Sequence, residues 1–418
     1  MVKKIKKFLV RLFYAFSRIR SEGLYWTICE LLQRGCLWVL WLILLPITFI
    51  GHLFGYRRLP VITERIGHLA AEIDCFLKLL EMGDISSKNK KFFLLAPPGQ
   101  VANSSLLEYW KKYLIVITNP TYCKLLGYMT RGIFMRYDIS DYILGIGQSA
   151  RYCEVNAKWD KRPPLLKISK THREIGEKAL RAMGIPKDAW YVCVHARESG
   201  YSPKDEAVQD YRNCSIDIMI PAMQEIVKRG GWCIRVGDSS MKPIQKIPGV
   251  IDYVHHSLIS PEIDVFLCGT CKYFLGNTSG LFILSSVFGV PSALTNMVPM
   301  TSLGFGKDDL NIFKLFLDKN TGKYVTAAKV MQLPFFEYRM SSSYNRNGYE
   351  LINNSALEIK ELAIEMNERI EGKFVEMPQD QKMMDNFHNL LKPNHYCFGS
   401  QSKIASTFLR RHQHIFDS

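Results

Sequence analysis

Three polar segments of the sequence each follow a short apolar stretch, and they contain residue types that bind phosphate groups. They are HARE at 195–198, GDSS at 237–240 and GNTSG at 276–280. The third segment immediately precedes an apolar helical pattern, and the free N–H groups and dipole of a helix N-terminus favour an anion. Glycines in that segment let a phosphate approach the backbone closely. Together the three segments predict a site for a nucleoside diphosphate group.

The side chains in these segments suit different parts of such a ligand. Arg197 can make a charge-assisted, bidentate contact with a phosphate, and Asp238 can accept hydrogen bonds from a ribose hydroxyl or a base amine. A strand-end arginine, a turn aspartate and a helix-capping serine also have purely structural explanations, but their position at three adjacent strand ends favours the binding site. The predicted nucleotide-binding residues are His195, Arg197, Asp238, Ser239, Asn277, Thr278, Ser279 and Gly280.

Other features of the sequence argue against several function classes. No glycine-lysine phosphate loop and no G-x-G-x-x-G motif occurs, which disfavours P-loop phosphoryl transfer and a dinucleotide dehydrogenase. The 418-residue chain has a formal net charge of +15, but beyond residues 1–34 its basic residues are spread out, so we expect no nucleic-acid partner. Its 11 cysteines are scattered and odd in number, as expected for reduced thiols in the cytoplasm.

The elements that must position the three segments follow an alternating pattern. Short apolar stretches alternate with helical patterns, which predicts parallel α/β layers, and an amphipathic helix is predicted over 355–370. We expect two Rossmann-like domains with a cleft between them. Ligands of such sheets bind beyond the carboxyl ends of the strands, which is where the three polar segments are predicted to lie. The predicted divisions are an anchor at 1–56, an N-terminal domain at 57–165, a nucleotide-binding domain at 166–335 and a C-terminal helical segment at 336–418 that packs back across the domains.

The beginning of the chain predicts attachment to a membrane. No Asp, Glu, Lys or Arg occurs from Gly35 to Tyr56, and such a run forms about 33 Å of helix, close to the thickness of a bilayer's hydrocarbon core. Pro46 interrupts the run and basic residues flank both ends, so both flanks can stay on the cytoplasmic side. Residues 3–20 resemble a basic amphipathic helix on anionic lipid. We expect a monotopic anchor, with a single span as the alternative.

Several longer stretches resemble a bacterial family of glycosyltransferases encoded with surface-polysaccharide genes. The resemblance rests on VHARESGY at 194–201, GGWCIRVGDSSMKP at 230–243 and DVFLCGTCKYFLGNTSGLFILSSVFGVP at 264–291, and it covers most of residues 60–375. That family is in turn distantly similar to the fucosyltransferases of GT-B fold, whose signature begins with H-x-R after a strand. The resemblance implies a GT-B-like fold, with 57–165 as the acceptor domain and 166–335 as the nucleotide-sugar-binding domain.

The same resemblance implies roles for individual residues. In the fucosyltransferases the arginine grips the donor diphosphate, and the histidine and a later acid help hold the nucleotide without a metal ion; the matching residues are Arg197, His195 and Asp238. The sequence departs from that pattern at Glu198-Ser199-Gly200, which puts GDP and fucose in doubt but not a nucleotide sugar. The implied enzyme is a metal-independent, inverting transferase of hexosyl or deoxyhexosyl units. It would act on a lipid-linked or polysaccharide acceptor, of the lipopolysaccharide or capsule type, at the cytoplasmic face of the inner membrane.

Sugar transfer also requires a group that takes the proton of the acceptor hydroxyl. The candidates are Glu198, beside Arg197, and His68 or Glu72 upstream, and the sequence leaves the choice among them open. No Asp-x-Asp motif lies between apolar stretches, as expected for a site without a metal cofactor. Two alternatives remain: a catalytically inactive GT-B-fold protein that binds carbohydrate or serves as a scaffold, and a nucleotide-sugar epimerase. An epimerase would need no acceptor, and the anchor would have no purpose.

Overall fold

The computed structural model describes residues 24–132, 134–139, 151–200, 208–332 and 334–416. The chain divides into two compact units. A smaller unit comprises 1–60, 87–98 and 115–137, and a larger unit comprises 61–86, 99–114 and 138–418. The helix predicted over residues 3–20 lies outside the described residues. The domain boundaries at 56, 165 and 335 stay predictions.

The described residues form a mixed α/β fold. In chain order the strands are β1 (Tyr56–Arg58), β2 (Lys91–Leu95), β3 (Ile115–Ile117), β4 (Tyr191–His195), β5 (Trp232–Arg235), β6 (Val250–Asp252), β7 (Phe274–Gly276), β8 (Ser292–Met297), β9 (Leu310–Phe313), β10 (Leu315–Asp318), β11 (Lys323–Tyr324), β12 (Tyr349–Ile352) and β13 (Lys403–Ile404). The helices are α1 (Leu24–Leu53), α2 (Ile66–Glu81), α3 (Ser104–Trp110), α4 (Pro120–Met129), α5 (Tyr152–Trp159), α6 (Lys170–Ala182), α7 (Ile220–Lys228), α8 (Pro261–Thr270), α9 (Gly280–Val287), α10 (Ala327–Val330), α11 (Ser341–Arg346), α12 (Ala356–Ile370), α13 (Pro378–Leu390), α14 (Ser406–Arg411) and α15 (Gln413–Phe416).

A parallel seven-stranded sheet lies in the larger unit, in the order β13-β9-β8-β7-β4-β5-β6. Every residue of β4, β7 and β8 is buried. This burial explains why β4 and β7 are almost continuously apolar in the sequence, whereas β8 also contains the buried polar residues Ser292, Thr295 and Asn296. Val194 of β4 pairs with Leu275 of β7 on one side and with Arg235 of β5 on the other. The structure therefore confirms the predicted parallel α/β pattern. The three strands that precede the polar segments, β4, β5 and β7, are immediate neighbours in the sheet.

The predicted amphipathic helix near the end of the chain is confirmed as α12. Its N-cap, Ser355, accepts a hydrogen bond from the backbone N–H of Glu358, and the Glu358 carboxylate accepts one from the backbone N–H of Ser355. This capping box satisfies two N–H groups that a helix start would otherwise leave unpaired. The apolar side of α12 is buried and packs on α7, at the side of the seven-stranded sheet.

The smaller unit contains the parallel sheet β1-β2-β3 together with α1 and α4. Asn119 caps α4 by accepting hydrogen bonds from the N–H groups of Thr121 and Tyr122, and Pro120 takes the first helical position, where no N–H partner is required. Within the described part of the chain, no helix combines the length and the apolar character needed to cross a bilayer.

Candidate active site

The loops that follow β4 and β5 meet at the carboxyl edge of the seven-stranded sheet. Gly200 has a φ of +115°, and a Cβ atom there would lie only 3.1 Å from the Ser240 hydroxyl. A side chain at Gly200 would therefore be strained in its backbone and crowded by the neighbouring loop. The structure thus brings together two of the three polar segments that the sequence singles out.

The third segment is tied to the first by Asn277, which is completely buried. Its side-chain oxygen accepts a hydrogen bond of 2.8 Å from the backbone N–H of Arg197, and its Nδ2 donates one of 2.8 Å to the carbonyl of Arg212. Asn277 is predicted to bind the nucleotide, but its side-chain oxygen and nitrogen both hold the backbone, at Arg197 and at Arg212. This is a positioning contact within the protein.

His195 ends β4 as a buried, neutral histidine. Its Nδ1 lies 2.9 Å from the carbonyl oxygen of Val236. Because a carbonyl can only accept, Nδ1 carries the proton and donates it. Burial lowers the pKa of His195 to about 4, although the Val236 carbonyl and Asp238 favour the charged form. The ring thus joins the ends of β4 and β5 as an uncharged hydrogen-bond donor.

This environment predicts a specific sensitivity to acid. A histidine with an ordinary pKa of 6.5 in the unfolded chain and about 4 in the folded chain stabilises the fold above pH 6.5, and that contribution is lost as the pH falls through 4. The loss amounts to about 3 kcal/mol of the free energy of unfolding. We expect His195→Asn, which keeps an N–H donor but does not titrate, to flatten the dependence of the urea midpoint on pH between 7 and 4. An unchanged slope, equal to that of the exposed-site control His414→Asn, would contradict this assignment.

The guanidinium of Arg197 lies against the segment 209–213. Its Nη1 donates to the carbonyl of Gln209 at 3.2 Å and to the side-chain oxygen of Asn213. The carbonyl of Arg197 accepts a hydrogen bond of 3.1 Å from the N–H of Cys214. Arg197 is partly exposed. Its cation is therefore held in a defined position at the strand ends by contacts within the protein, and its role in binding a phosphate stays a prediction.

Lys314 is a second cation at this edge of the sheet that the sequence did not single out as a ligand. It directly follows β9, is only 4% exposed, and donates a hydrogen bond of 2.7 Å from Nζ to the carbonyl of Asn213. Burial lowers its pKa to about 8, and the nearby positive charge of Arg197 acts in the same direction. The signal in the sequence that could have indicated it is a lysine directly after the mostly apolar stretch LNIF at 310–313.

Glu198 has two partners inside the protein. Its Oε2 lies 3.0 Å from Nη2 of Arg235, and its Oε1 accepts a hydrogen bond of 3.3 Å from the N–H of Ile216. Arg235 is fully buried in β5 and also contacts the carboxylate of Asp252 in β6 at 3.1 Å. The carboxylate predicted as a catalytic base is therefore part of a three-residue ion-pair cluster around a fully buried guanidinium, which we call the Arg235 cluster (Glu198, Arg235 and Asp252).

The remaining predicted ligands of the β5 and β7 loops differ in their surroundings. Asp238 closes its own turn by accepting hydrogen bonds from the N–H and the hydroxyl of Ser240, and Ser239 is exposed. Thr278 is partly exposed and its hydroxyl lies 3.4 Å from the sulfur of Met297. The roles predicted for these side chains in binding a nucleotide stay predictions.

Ser279 is the N-cap residue of α9, and its side chain makes no capping hydrogen bond. Its hydroxyl oxygen is buried and has no hydrogen-bond partner within the described part of the chain. A buried hydroxyl without a partner is costly, so it suits a polar group that a ligand would bring. This oxygen at the start of a helix is in keeping with the predicted phosphate-binding role.

Gly280, the first residue of α9, is needed for close packing. A Cβ atom there would come within 2.5 Å of Cγ2 of Ile66 and 2.8 Å of the N atom of Gly67. Gly280 therefore allows the start of α2 to contact the start of α9. This contact brings His68, in the first turn of α2, to the neighbourhood of the 276–280 loop.

His68 and Glu72 form a close pair on α2. Nδ1 of His68 lies 2.6 Å from Oε1 of Glu72, whose side chain is completely buried, whereas the His68 side chain is 12% exposed. A carboxylate accepts from Nδ1–H, which leaves Nε2 as the ring nitrogen that can take a proton. The other Glu72 oxygen has no hydrogen-bond partner among the described residues. The two upstream candidates of the sequence analysis thus form an oriented histidine–carboxylate pair.

Among the residues described, no group of three or more His, Cys, Asp or Glu side chains is arranged to hold a metal ion.

No protein-family model and no curated protein matches the sequence. The solved structures that are similar include a family 9 glycosyl transferase from Veillonella parvula, with 10% identity and a TM-score of 0.36 over 58% of this chain and 80% of that chain.

Two structures of TibC, an iron-containing dodecameric protein, are also similar. One is described as a heptosyltransferase in complex with ADP-D-beta-D-heptose, and it has 12% identity and a TM-score of 0.31. The other is described as a glycosyltransferase from enterotoxigenic E. coli H10407, and it has 14% identity and a TM-score of 0.32. Each match covers 58% of this chain, but only 59% and 58% of the respective TibC chains.

Proposed function

We propose that the chain is a glycosyltransferase that moves a sugar from a nucleotide-sugar donor to a lipid-linked or polysaccharide acceptor in surface-glycan synthesis. The observation that carries the proposal is the convergence, at one edge of a parallel sheet, of the Arg197 guanidinium, the unpartnered Ser279 hydroxyl and the His68–Glu72 pair. Sugar transfer needs groups that bind the donor diphosphate and a group that accepts the proton of the acceptor hydroxyl. GT-B-like remains our proposed fold class.

In this proposal the donor diphosphate binds at the N-terminus of α9, between Ser279 and the cations Arg197 and Lys314. As the bond between the anomeric carbon and the diphosphate breaks, negative charge builds on the leaving oxygen, and these groups stabilise it. The acceptor hydroxyl forms the new bond to the anomeric carbon and gives its proton to Nε2 of His68. Glu72 stabilises the imidazolium that results.

Attack by the acceptor from the face opposite the diphosphate makes this an inverting reaction. We further propose a hexosyl or deoxyhexosyl donor. We also propose that no metal cofactor is needed, because Arg197 and Lys314 would supply positive charge for the diphosphate. Transfer should therefore persist in excess EDTA, and product analysis by NMR should give the inverted anomer. Loss of transfer in EDTA, restored by one divalent metal, would contradict the metal-independent part.

Binding of a nucleoside diphosphate tests the site itself. Removal of one charge-assisted contact to a phosphate should weaken binding by about 10- to 100-fold, so we expect Arg197→Ala to raise the Kd measured by calorimetry to that extent. The melting temperature should change little, because Arg197 is partly exposed and its contacts to 209–213 are local. Arg346→Ala, at an exposed position of α11, is the matched control.

A thermal-shift screen with UDP-, GDP-, ADP-, CMP- and dTDP-sugars identifies the donor for that measurement. If the purified chain binds no nucleoside diphosphate, the transferase proposal fails. Binding without hydrolysis or transfer would favour the catalytically inactive carbohydrate-binding alternative. Conversion of the donor sugar without any acceptor would instead indicate an epimerase.

The proposal also places the acceptor at the cytoplasmic face of the inner membrane. It is supported by the run without charged residues from Gly35 to Tyr56 and by the eight basic residues among the first 34. A C-terminal tag should be digested by protease in inside-out vesicles, where the cytoplasmic face is exposed. A tag protected in those vesicles would contradict the monotopic arrangement.

A further inference from the structure

One side of α1 is an uncovered apolar surface. Its members recur at helical spacings of three and four residues, and their side chains are between 51% and 68% exposed. They are Val39, Leu42, Ile43, Ile47, Ile50 and Leu53 of α1 and Phe54, which directly follows the helix, and we call them the outer stripe. From residue 39 to residue 54 the stripe is about 24 Å long and contains no charged side chain. An exposed apolar surface of this extent marks a site of interaction.

The opposite side of α1 is packed within the smaller unit. Gly132 lies against the ring of Trp41, because a Cβ there would come within 2.5 Å of Cζ2, and Gly51 is equally close to the sulfur of Met135. The rings of Phe49 and Phe134 meet edge to face, with centroids 5.3 Å apart. Contacts along residues 41–51 thus fix which side of the helix faces outward. A helix held in this way can offer only one long side to a binding partner, because the other side is packed within the smaller unit.

The positive charge of the chain is concentrated in this smaller unit. It has 16 Lys or Arg against two Asp or Glu, whereas the larger unit has 38 against 37. The smaller unit therefore has a formal charge of +14 out of the total of +15. Its segments 35–60, 87–98 and 115–137 contain eight basic residues and no acidic one. Such a charge favours an anionic partner and opposes pairing with a second copy of the same unit.

Several of these cations lie beside tyrosine rings at the surface. Nζ of Lys91 is 5.1 Å from the ring centre of Tyr56, and the Arg131 guanidinium is 4.5 Å from that of Tyr128. Tyr122, on α4, is 60% exposed. Long basic side chains and tyrosines have an apolar body and a polar tip, which suits the boundary between lipid chains and headgroups.

We propose that the outer stripe and the basic residues of the smaller unit together bind an anionic phospholipid bilayer, with α1 lying parallel to the membrane plane. The stripe enters the region of the acyl chains while Lys and Arg side chains contact the phosphates. This inference rests on the membrane association proposed above and names its surface. It does not depend on the chemistry of the larger unit.

Vesicle flotation of the full chain tests the surface. The probes are vesicles of phosphatidylcholine alone and of phosphatidylcholine with phosphatidylglycerol. We expect the wild type to float with the anionic vesicles, and the double variant Ile43→Asp/Ile50→Asp to lose roughly tenfold or more of that binding. The triple variant Lys88→Glu/Lys91→Glu/Lys124→Glu should lose a comparable amount, and 1 M salt should weaken the wild type.

Matched controls come from the larger unit, where apolar and basic residues are equally exposed. They are Val375→Asp/Leu357→Asp and Lys161→Glu/Lys187→Glu/Lys323→Glu, and both should float like the wild type. Stripe variants that float like the wild type would show that another segment binds the membrane. A wild type that binds no vesicle would overturn membrane association altogether, and dimers in light scattering would then identify a second copy as the partner. Binding of a nucleoside diphosphate, measured on the same samples, reports separately on the proposed transferase site.

Discussion

We expect replacement of His68 by Gln to lower the rate of the proposed sugar transfer by about 10²- to 10⁴-fold, the usual contribution of a general base. The expectation rests on geometry, since His68 is partly exposed, is oriented through Nδ1 by the buried Glu72, and lies on the turn of α2 that contacts the start of α9. Gln fills a similar volume but cannot take a proton at neutral pH. Initial rates at saturating donor and acceptor measure the effect. The Kd for the nucleoside diphosphate and the melting temperature should stay near those of the wild type.

Glu72→Gln provides a second, graded test of the same pair. Gln keeps an oxygen that can accept from Nδ1–H, so the ring orientation survives, but the negative charge that stabilises the imidazolium is lost. We expect a fall in kcat smaller than that of His68→Gln, and a double variant no slower than His68→Gln alone, because the two residues act as one unit. His414→Gln, at an exposed position, is the control. An unchanged rate of sugar transfer in His68→Gln would show that another residue is the base.

The sequence was sufficient to predict the carboxyl edge of the sheet but not the use of each side chain there. Polar segments after β4, β5 and β7 had to converge, because the carboxyl ends of parallel strands lie at one edge. Whether a polar atom faces a ligand or another loop depends on contacts between distant residues. Asn277 contacts Arg212 across 65 positions, and Glu198 contacts Arg235 across 37. A local sequence pattern does not reveal contacts between residues so far apart, whereas the i, i+4 spacing of His68 and Glu72 was visible in the sequence.

Two strands that the sequence did not indicate are the short ones at the two edges of the seven-stranded sheet, β13 and β6. β13 has two residues, and it pairs with β9 through Asn311, whose side chain donates to the Lys403 carbonyl and to the Ser402 hydroxyl. β6 pairs only with β5, at the edge of the sheet. Such strands form because a neighbour offers unpaired backbone groups, so tertiary context overrides a weak local preference.

The Arg235 cluster gives the second large effect. Arg235→Met should lower the free energy of unfolding by about 3–5 kcal/mol, because the carboxylates of Glu198 and Asp252 would lose a fully buried guanidinium that neutralises both. Urea denaturation followed by tryptophan fluorescence measures this loss. Arg229→Met is the matched control: Arg229 is 31% exposed and pairs with Glu225 at 3.1 Å, so its loss should cost less than about 1 kcal/mol. Equal losses in the two variants would mean that burial adds nothing to the Arg235 cluster.

Glu198→Gln separates the two roles that remain for Glu198. If the carboxylate serves the Arg235 cluster, the variant leaves a buried cation with Asp252 as its remaining acidic partner, and stability should fall by roughly 1–3 kcal/mol. Transfer measured well below the melting temperature should then stay within a few-fold of the wild type. A catalytic base would give the reverse, a loss of transfer with unchanged stability. Both oxygens of Glu198 already have protein partners, one of them the Arg235 guanidinium at 3.0 Å, so proton transfer to Glu198 would have to disrupt the ion pair. These contacts favour His68 over Glu198 as the group that accepts the proton.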